Sequence, residues 1–191
     1  MALAICGLVG AAVAAMLSAV AYGTSSRREL RGAVVRYRNV EERVSASVRS
    51  ARAVLETGTD YVVLWMHDTR VNQTPDLSEI RMIERDTAAG NVLRAFQFPS
   101  NWTQAQIDAA EQYYTLSGNP AGYFRTQTTT AKTAGSFVPT LWASNVTALT
   151  VQANTSDPAT TSLVSFRIDL KNGDLTHTLI GAASPRITTV N

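Results

Sequence analysis

The chain has 191 residues, enough for one domain of ordinary size and an additional segment. Hydrophobic residues make up 45% and charged residues 17% of it, a composition that excludes a disordered polymer. The net charge of +2 is too balanced to indicate a nucleic-acid-binding surface. Cys6 is the only cysteine, which excludes an intrachain disulfide and a cysteine-rich metal cluster.

The first part of the chain is apolar. Residues 2–22 contain no charged side chain, and a helix of that length reaches across a hydrocarbon core about 30 Å thick. A cleaved secretory signal is less favoured, because its apolar core spans only about 7 to 15 residues. We therefore expect residues 1–23 to be the membrane-spanning half of an N-terminal helix. Its small residues either allow close packing with another helix or belong to a lone, alanine-rich anchor. The residues assigned to this span and its packing are Leu3, Ile5, Gly7, Leu8, Ala11, Ala15 and Leu17.

Residues 24–56 are rich in arginine and carry apolar residues at steps of three and four. This spacing predicts an amphipathic helix, and the absence of proline from residues 1–56 predicts that it continues the first segment. Eight arginines face three glutamates between residues 27 and 52, a pattern typical of a solvated face or of headgroup contact. The apolar face is assigned to Val34, Tyr37, Val44, Val48 and Leu55.

Residues 57–191 change to β-branched residues and strict alternation, which predict a β-rich globular domain. The clearest element is a hairpin around Asn172 and Gly173, a pair typical of tight turns. The predicted strands are Tyr61 to Met66, Ser78 to Glu84, Val92 to Phe98, Val146 to Gln152, Ser162 to Leu170 and Leu175 to Ile180.

Two further elements are expected between the third and fourth of these strands. A short helix is expected after Asn101 or Thr103, extending to about Tyr114. The polar, threonine-rich stretch from Thr126 to Ser136 has no periodicity and is interpreted as a mobile loop.

Motifs with a known catalytic mechanism are absent from the sequence, including phosphate loops, dinucleotide-binding glycines, nucleophile elbows and zinc helices. His67 and His177 lie far apart in the chain, which makes a shared metal site unfavourable. We interpret His67 as structural or exposed and His177 as a partly buried, hydrogen-bonded residue.

Acidic residues cluster at Asp76, Glu79, Glu84 and Asp86. Paired carboxylates can act in acid–base catalysis or bind calcium. The preceding loop lacks the central glycine of a calcium loop, and strand alternation places Glu79 and Arg81 on one face as a surface ion pair. We therefore expect no catalytic residue, no metal site and no cofactor.

Two segments resemble a known family. MALAICGLVGAAVAAML resembles the start of the N-terminal helix of type IV pilin-like proteins, and SLVSFRIDLKNGDLTHTLIGAASPRI resembles the closing hairpin of J-type minor pseudopilins of type II secretion systems. The resemblance implies an α+β fold in which a long N-terminal helix packs on a small, mainly antiparallel β-domain.

The same resemblance implies a structural subunit that assembles through its N-terminal helix into a filament or tip complex for type II secretion or type IV pili. Its implied partners are membrane lipid and sister pilin or pseudopilin subunits, with no nucleic acid and no small-molecule substrate. Its implied location is the bacterial inner membrane, crossed once, with the C-terminal domain in the periplasm.

The sequence departs from the family at its start. No basic leader and no glutamate precede Met1, and Arg27, Arg28 and Arg31 follow the span, which alone predicts a cytoplasmic β-domain. A start codon assigned too far downstream explains both departures, and real divergence is the alternative.

Two other functions remain open at this point. One is a membrane-tethered extracytoplasmic ligand-binding module that uses the loop from Thr126 to Ser136, or exposed Trp102 and Trp142. The other is an enzyme whose site no motif reveals.

Overall fold

The computed structural model describes residues 32–116 and 118–186. The chain divides into two compact units, Met1–Arg38 and Asn39–Asn191. Within the described residues the first unit is helical, and that helix, α1, extends over residues 32–50 and so continues into the second unit.

Helix α1 has a buried stripe in the second unit. Val40, Val44 and Val48 recur every four residues and are almost completely buried, which is the spacing of one helical face. The helix ends at residue 50, and Arg52 N then donates to Trp65 O at 2.7 Å as the chain enters the first strand.

The first sheet is an antiparallel meander of five strands in the order β1-β2-β3-β4-β5. A 3₁₀ turn, Leu77–Glu79, leads into β3. Two helices, α2 and α3, lie in the connection between β4 and β5. The strands are β1 Ala53–Gly58, β2 Tyr61–Trp65, β3 Ile80–Asp86, β4 Val92–Gln97 and β5 Val138–Ala143, and the helices are α2 Gln104–Ala110 and α3 Tyr123–Thr133.

The second sheet has three antiparallel strands, β6 Val146–Ala153, β7 Val164–Asn172 and β8 Leu175–Ala183. The register from Asn172 opposite Leu175 to Val164 opposite Ala183 confirms the predicted hairpin. The sheets meet where Asp60 N donates to Leu149 O at 2.9 Å.

One hydrophobic cluster joins the inner face of the first sheet to α3. Trp65, Met82 and Phe96 occupy its centre and are nearly or fully buried. Phe124 and Ala131 of α3, and Phe137 just before β5, belong to the same cluster. Burial of this apolar surface gives the second unit its own stabilising core.

The expected fold class is wrong. After α1, the described residues form a mainly β structure of eight antiparallel strands in two sheets with three short helical segments, rather than a long helix on a small β-domain. Leu55, assigned to the helical face, lies in β1. Ala53, Val54 and Leu55 are all buried, and burial of consecutive residues fits a strand covered on both faces better than one helical stripe.

Two other elements differ from expectation. The predicted loop from Thr126 to Ser136 is mostly the helix α3, because its buried Phe124, Thr128 and Ala131 anchor it on the sheet. Strand β5 was not predicted at all. It contains Pro139, which an edge strand tolerates.

Candidate functional site

The buried charge nearest α3 is Glu84 of β3. Its carboxylate accepts hydrogen bonds from Arg125 and Lys132, which lie about two helical turns apart on α3. Lys132 Nζ also lies 4.2 Å from the centre of the Phe96 ring. These contacts fix α3 to the sheet, so this carboxylate already has two cationic partners.

Glu56 and Tyr61 form a second polar group beside it. The Tyr61 hydroxyl donates to Glu56 Oε1 at 2.5 Å, and the Arg125 backbone N–H donates to Glu56 Oε2 at 3.1 Å. Burial, and then the hydrogen bond to Glu56, raises the pKa of Tyr61 to about 12. The phenol is therefore neutral at physiological pH and acts as a donor.

A cavity of about 310 Å³ opens next to Glu56. Of the charged residues in the described part of the chain, only Glu56 lines it, and both of its oxygens already accept hydrogen bonds. Its wall combines the end of β1 with the loop around Asn119 and Pro120 and the loop around Thr155 and Ser156. Thr57, Asn119 and Thr155 add hydroxyl and amide groups to this wall, which can form hydrogen bonds with a small polar molecule.

A second concentration of charge surrounds Arg70, in the loop of residues 67–76 that follows β2. Arg70 pairs with Asp108, with Glu111 at 3.3 Å and with Asp76 at 3.6 Å. Asp76 has no exposed surface, and this burial raises its pKa, while hydrogen bonds from Asn72 partly oppose the shift.

The buried carboxylate of Glu79 accepts hydrogen bonds from the backbone of the loop of residues 67–76. Glu79 Oε1 accepts from Thr69 N at 2.5 Å and from Arg70 N at 3.3 Å, while its other oxygen accepts from Trp65 Nε1 at 2.9 Å. Satisfying backbone donors with a buried acid fixes the conformation of the first half of the loop.

The second half of the loop is fixed in the same way. Asp68 accepts from Asn72 N at 3.1 Å and from Gln73 N at 3.3 Å, and it pairs with Arg52 at 2.7 Å. Within this half, Val71 and Gln73 adopt left-handed backbone conformations with φ of 53° and 59°. For a β-branched residue that conformation is a strained one, costing about 1–3 kcal/mol.

No protein-family model matches this chain, and neither the curated proteins nor the solved structures that were compared with it provide a match. The assignment of function therefore depends on the sequence and on the geometry described above.

The predicted acidic cluster is divided between different contacts. Asp76 and Glu79 belong to the loop network, Glu84 binds α3, and Asp86 pairs with Arg94 at 2.9 Å. The predicted surface ion pair of Glu79 is wrong, because Glu79 is buried in the 3₁₀ turn under the loop.

The histidines occupy separate regions, His67 exposed after β2 and His177 partly buried on β8. Across residues 32–116 and 118–186, no three histidine, cysteine, aspartate or glutamate side chains are arranged to hold a metal ion. The two tryptophans proposed for ligand capture are half-buried, and Trp102 packs on Phe98 with ring centres 5.1 Å apart.

The residues assigned to the membrane span, Leu3 to Leu17, lie outside the described residues. In the part of the chain that the structure covers, no helix is long and apolar enough to cross a membrane. Of the predicted amphipathic face, Tyr37, Val44 and Val48 are buried, whereas Val34 is 47% exposed.

Sequence reasoning did not identify Arg70, Val71 or Arg125 as residues of interest. The turn-forming residues from Asn72 to Asp76 indicate a loop, but no sequence signal reports a left-handed valine. Arg125 was not recognised as a residue that binds Glu84, because the adjacent stretch from Thr126 to Ser136 was interpreted as a loop and not as a helix.

Proposed function

We propose that this chain is a membrane-anchored structural subunit that joins sister subunits in a filament or its tip, the role of minor pseudopilins and other pilin-like proteins. One observation carries the proposal. An uncharged apolar segment, residues 2–22, is followed by an arginine-rich helix whose Val40, Val44 and Val48 are buried in a β-rich unit.

The charged residues of the β-rich unit add support. Glu84, Glu79 and Asp68 each bind structural partners, as expected where carboxylates hold loops and helices in place rather than act on a substrate. A scaffold of this kind suits a subunit whose function is mechanical.

The proposal includes a location and partners. The subunit crosses the bacterial inner membrane once through residues 2–22 and carries its C-terminal domain in the periplasm. Its partners are membrane lipid and sister pilin or pseudopilin subunits, in type II secretion or type IV pilus assembly. Gly7, Ala11 and Ala15 recur every fourth residue, a spacing that allows close approach of a neighbouring helix in lipid.

The test is to replace Ala11 and Ala15 together with phenylalanine in the native host. We expect the double variant to insert in the membrane but to lose incorporation into the filament, because the larger side chains prevent close approach. Membrane fractionation measures insertion, and isolation of the filament with its subunits measures incorporation.

A matched control replaces Val9 and Val13, which have the same spacing but which a helix of 3.6 residues per turn places on the side opposite Ala11 and Ala15, with phenylalanine. This control should keep both insertion and incorporation. Normal incorporation of the Ala11 and Ala15 double variant contradicts the proposal.

A second candidate is a tethered ligand-binding module, favoured by the 310 Å³ cavity beside Glu56. Titration of small amines and polyols, followed by the NMR signals of Thr57 and Asn119, tests it. Saturable shifts that disappear in Glu56→Gln support a ligand site, and unchanged spectra exclude one for these compounds.

A further inference from the structure

A second cavity, of about 250 Å³, lies where three connections between strands meet. The connections are the turn between β3 and β4, the link between β5 and β6, and the hairpin turn between β7 and β8. We name this space the Lys171 cavity. It is lined by two glycines, two asparagines, a threonine and a lysine: Gly90, Asn91, Asn145, Thr147, Lys171 and Gly173.

Backbone hydrogen bonds fix the two asparagines of the wall. Asn91 O accepts from Val146 N at 2.8 Å, and Asn145 O accepts from Lys171 N at 2.8 Å. Both asparagines have left-handed backbone conformations, with φ of 60° and 59°, which asparagine adopts more readily than most residues. The three connections are therefore tied to one another, and the wall is formed before any ligand binds.

The wall offers polar side chains that have no partner within the described part of the chain. There, the Lys171 ammonium group forms no ion pair, and the amides of Asn91 and Asn145 form no hydrogen bond. All three residues are exposed, so a ligand can reach them. An ammonium group has three N–H donors and each amide has two, which makes the wall rich in donors.

Lys171 is the only charged residue among the six that line the cavity, and none of the six is hydrophobic. Arg85, which donates to Thr147 O beside the cavity, does not add a second free charge, because it pairs with Asp60 at 2.7 Å. The charge that the wall presents is therefore the single positive charge of Lys171.

Two acids of the same hairpin lie close to Lys171 in sequence, and neither lines the cavity. Asp169 shares a strand face with Lys171, but it pairs with Arg167 at 3.0 Å. Asp174 is exposed in the hairpin turn beside Gly173. The Lys171 ammonium group is thus left for a ligand of opposite charge.

We infer that the Lys171 cavity binds a small, hydrophilic oxyanion, carried by a phosphate or by a carboxylate. Lys171 provides the charge, and the amides of Asn91 and Asn145 donate hydrogen bonds to the oxygens of the ligand. Because the site is open to water, we expect weak binding, with a dissociation constant on the order of 1 mM. This inference goes beyond the proposed filament role and does not depend on it.

The first experiment titrates the full-length chain in detergent micelles at neutral pH and constant ionic strength. The probes are inorganic phosphate, glucuronate and, as a neutral control, glucose, and the readout is the NMR signals of the Gly90 and Gly173 amides. We expect saturable shifts with phosphate or glucuronate and none with glucose. Tighter binding of glucuronate indicates a sugar acid as the ligand, and tighter binding of phosphate indicates a phosphate group.

Substitutions at Lys171 test the source of the affinity. Lys171→Gln should weaken binding about tenfold, whereas Lys171→Arg should keep most of it. The thermal unfolding temperature should not change, because Lys171 forms no ion pair with the described residues. Arg49→Gln, which removes an exposed positive charge on α1 outside the wall, is the matched control and should leave binding unchanged.

Asn145→Asp adds a negative charge to the wall with little change in size. Aspartate also tolerates the left-handed backbone at this position, so the turn should be kept while binding weakens about tenfold. Three results would each overturn the inference: no saturable shift with either anion, shifts at Thr57 and Asn119 instead of Gly90 and Gly173, or undiminished affinity of Lys171→Gln.

Discussion

Asp76 is a carboxylate with no exposed surface, placed among acids that outnumber the nearby arginines. Burial raises its pKa above the ordinary 3.8, the Asn72 hydrogen bonds lower it, and the negative charges of Glu79 and Glu111 raise it further. The folded chain therefore binds this proton more tightly than the unfolded chain. The contribution of Asp76 to stability is fully present below about pH 3.8 and is lost as the pH rises through the folded-state pKa.

Asp76→Asn should remove this dependence. We expect the free energy of unfolding of the variant minus that of the parent to increase between about pH 4 and about pH 7, because only the parent loses stability as Asp76 ionises. Urea unfolding of the full-length chain at both pH values measures it. Asp174→Asn, in the exposed turn between β7 and β8, is the control, and a difference for Asp76→Asn that does not vary with pH contradicts the assignment.

At the scale of elements, α3 is an instructive case, because its sequence is poor in strong helix formers. Thr126 and Thr129 turn their hydroxyls to the carbonyl oxygens four residues earlier, at 2.8 and 2.7 Å. Such bonds satisfy the hydroxyls without stabilising a helix much. The helix forms because one side of it packs on the sheet and because Glu84 binds Arg125 and Lys132.

Glu84→Gln should weaken that attachment. We expect a loss of about 2 kcal/mol, less than for a fully buried ion pair because both cations are partly exposed. Urea unfolding gives the loss, and hydrogen exchange should accelerate most in α3. Asp86→Asn removes the more exposed pair with Arg94 and should cost less than about 1 kcal/mol, and equal losses for the two variants contradict this account.

The pairing of β7 with β8 depends on one glycine. A Cβ at Gly181 would overlap the ring of Phe166, its partner in the register. Gly181→Ala should therefore destabilise the fold by about 1–3 kcal/mol, which urea unfolding measures. The double variant Gly181→Ala, Phe166→Leu should be more stable than the sum of the two single losses predicts, because the smaller side chain leaves room for the added Cβ. A double-mutant cycle without coupling would contradict the proposed steric overlap.

At the scale of the whole molecule, the unit Asn39–Asn191 contains its own core, whereas the sequence suggested a domain beginning at residue 57. A chain of residues 39–191 should unfold cooperatively. A chain of residues 57–191 lacks the buried Val54 and Leu55, worth about 1.5–3 kcal/mol each, and should be largely unfolded, since domain stability is about 5–15 kcal/mol. Thermal unfolding of both chains, followed by circular dichroism, measures the difference. Equal melting curves would contradict this prediction and support a domain that begins at residue 57.

Local pattern was enough for part of this architecture. The alternation of Val164, Phe166, Ile168 and Leu170 before a turn at residues 172–173 predicted β7 and β8 correctly. The prediction succeeded because a half-buried strand alternates apolar and polar residues, and this alternation is visible in the sequence alone. The apolar residues 2–22 and the arginines that follow them are likewise properties of the sequence, and they support the proposed membrane anchor.

Only the tertiary structure decided the strand at Leu55 and the conformation of the loop around Val71, because both depend on contacts with other parts of the fold. Residues near Leu55 continue a helical spacing but form a strand, since β2 provides hydrogen bonds and both faces of the strand are buried. The loop that presents Val71 is held by carboxylates that belong to other elements or lie several residues away. Its strained valine has no local signature, because backbone strain is maintained by the surrounding contacts and not by the residue itself.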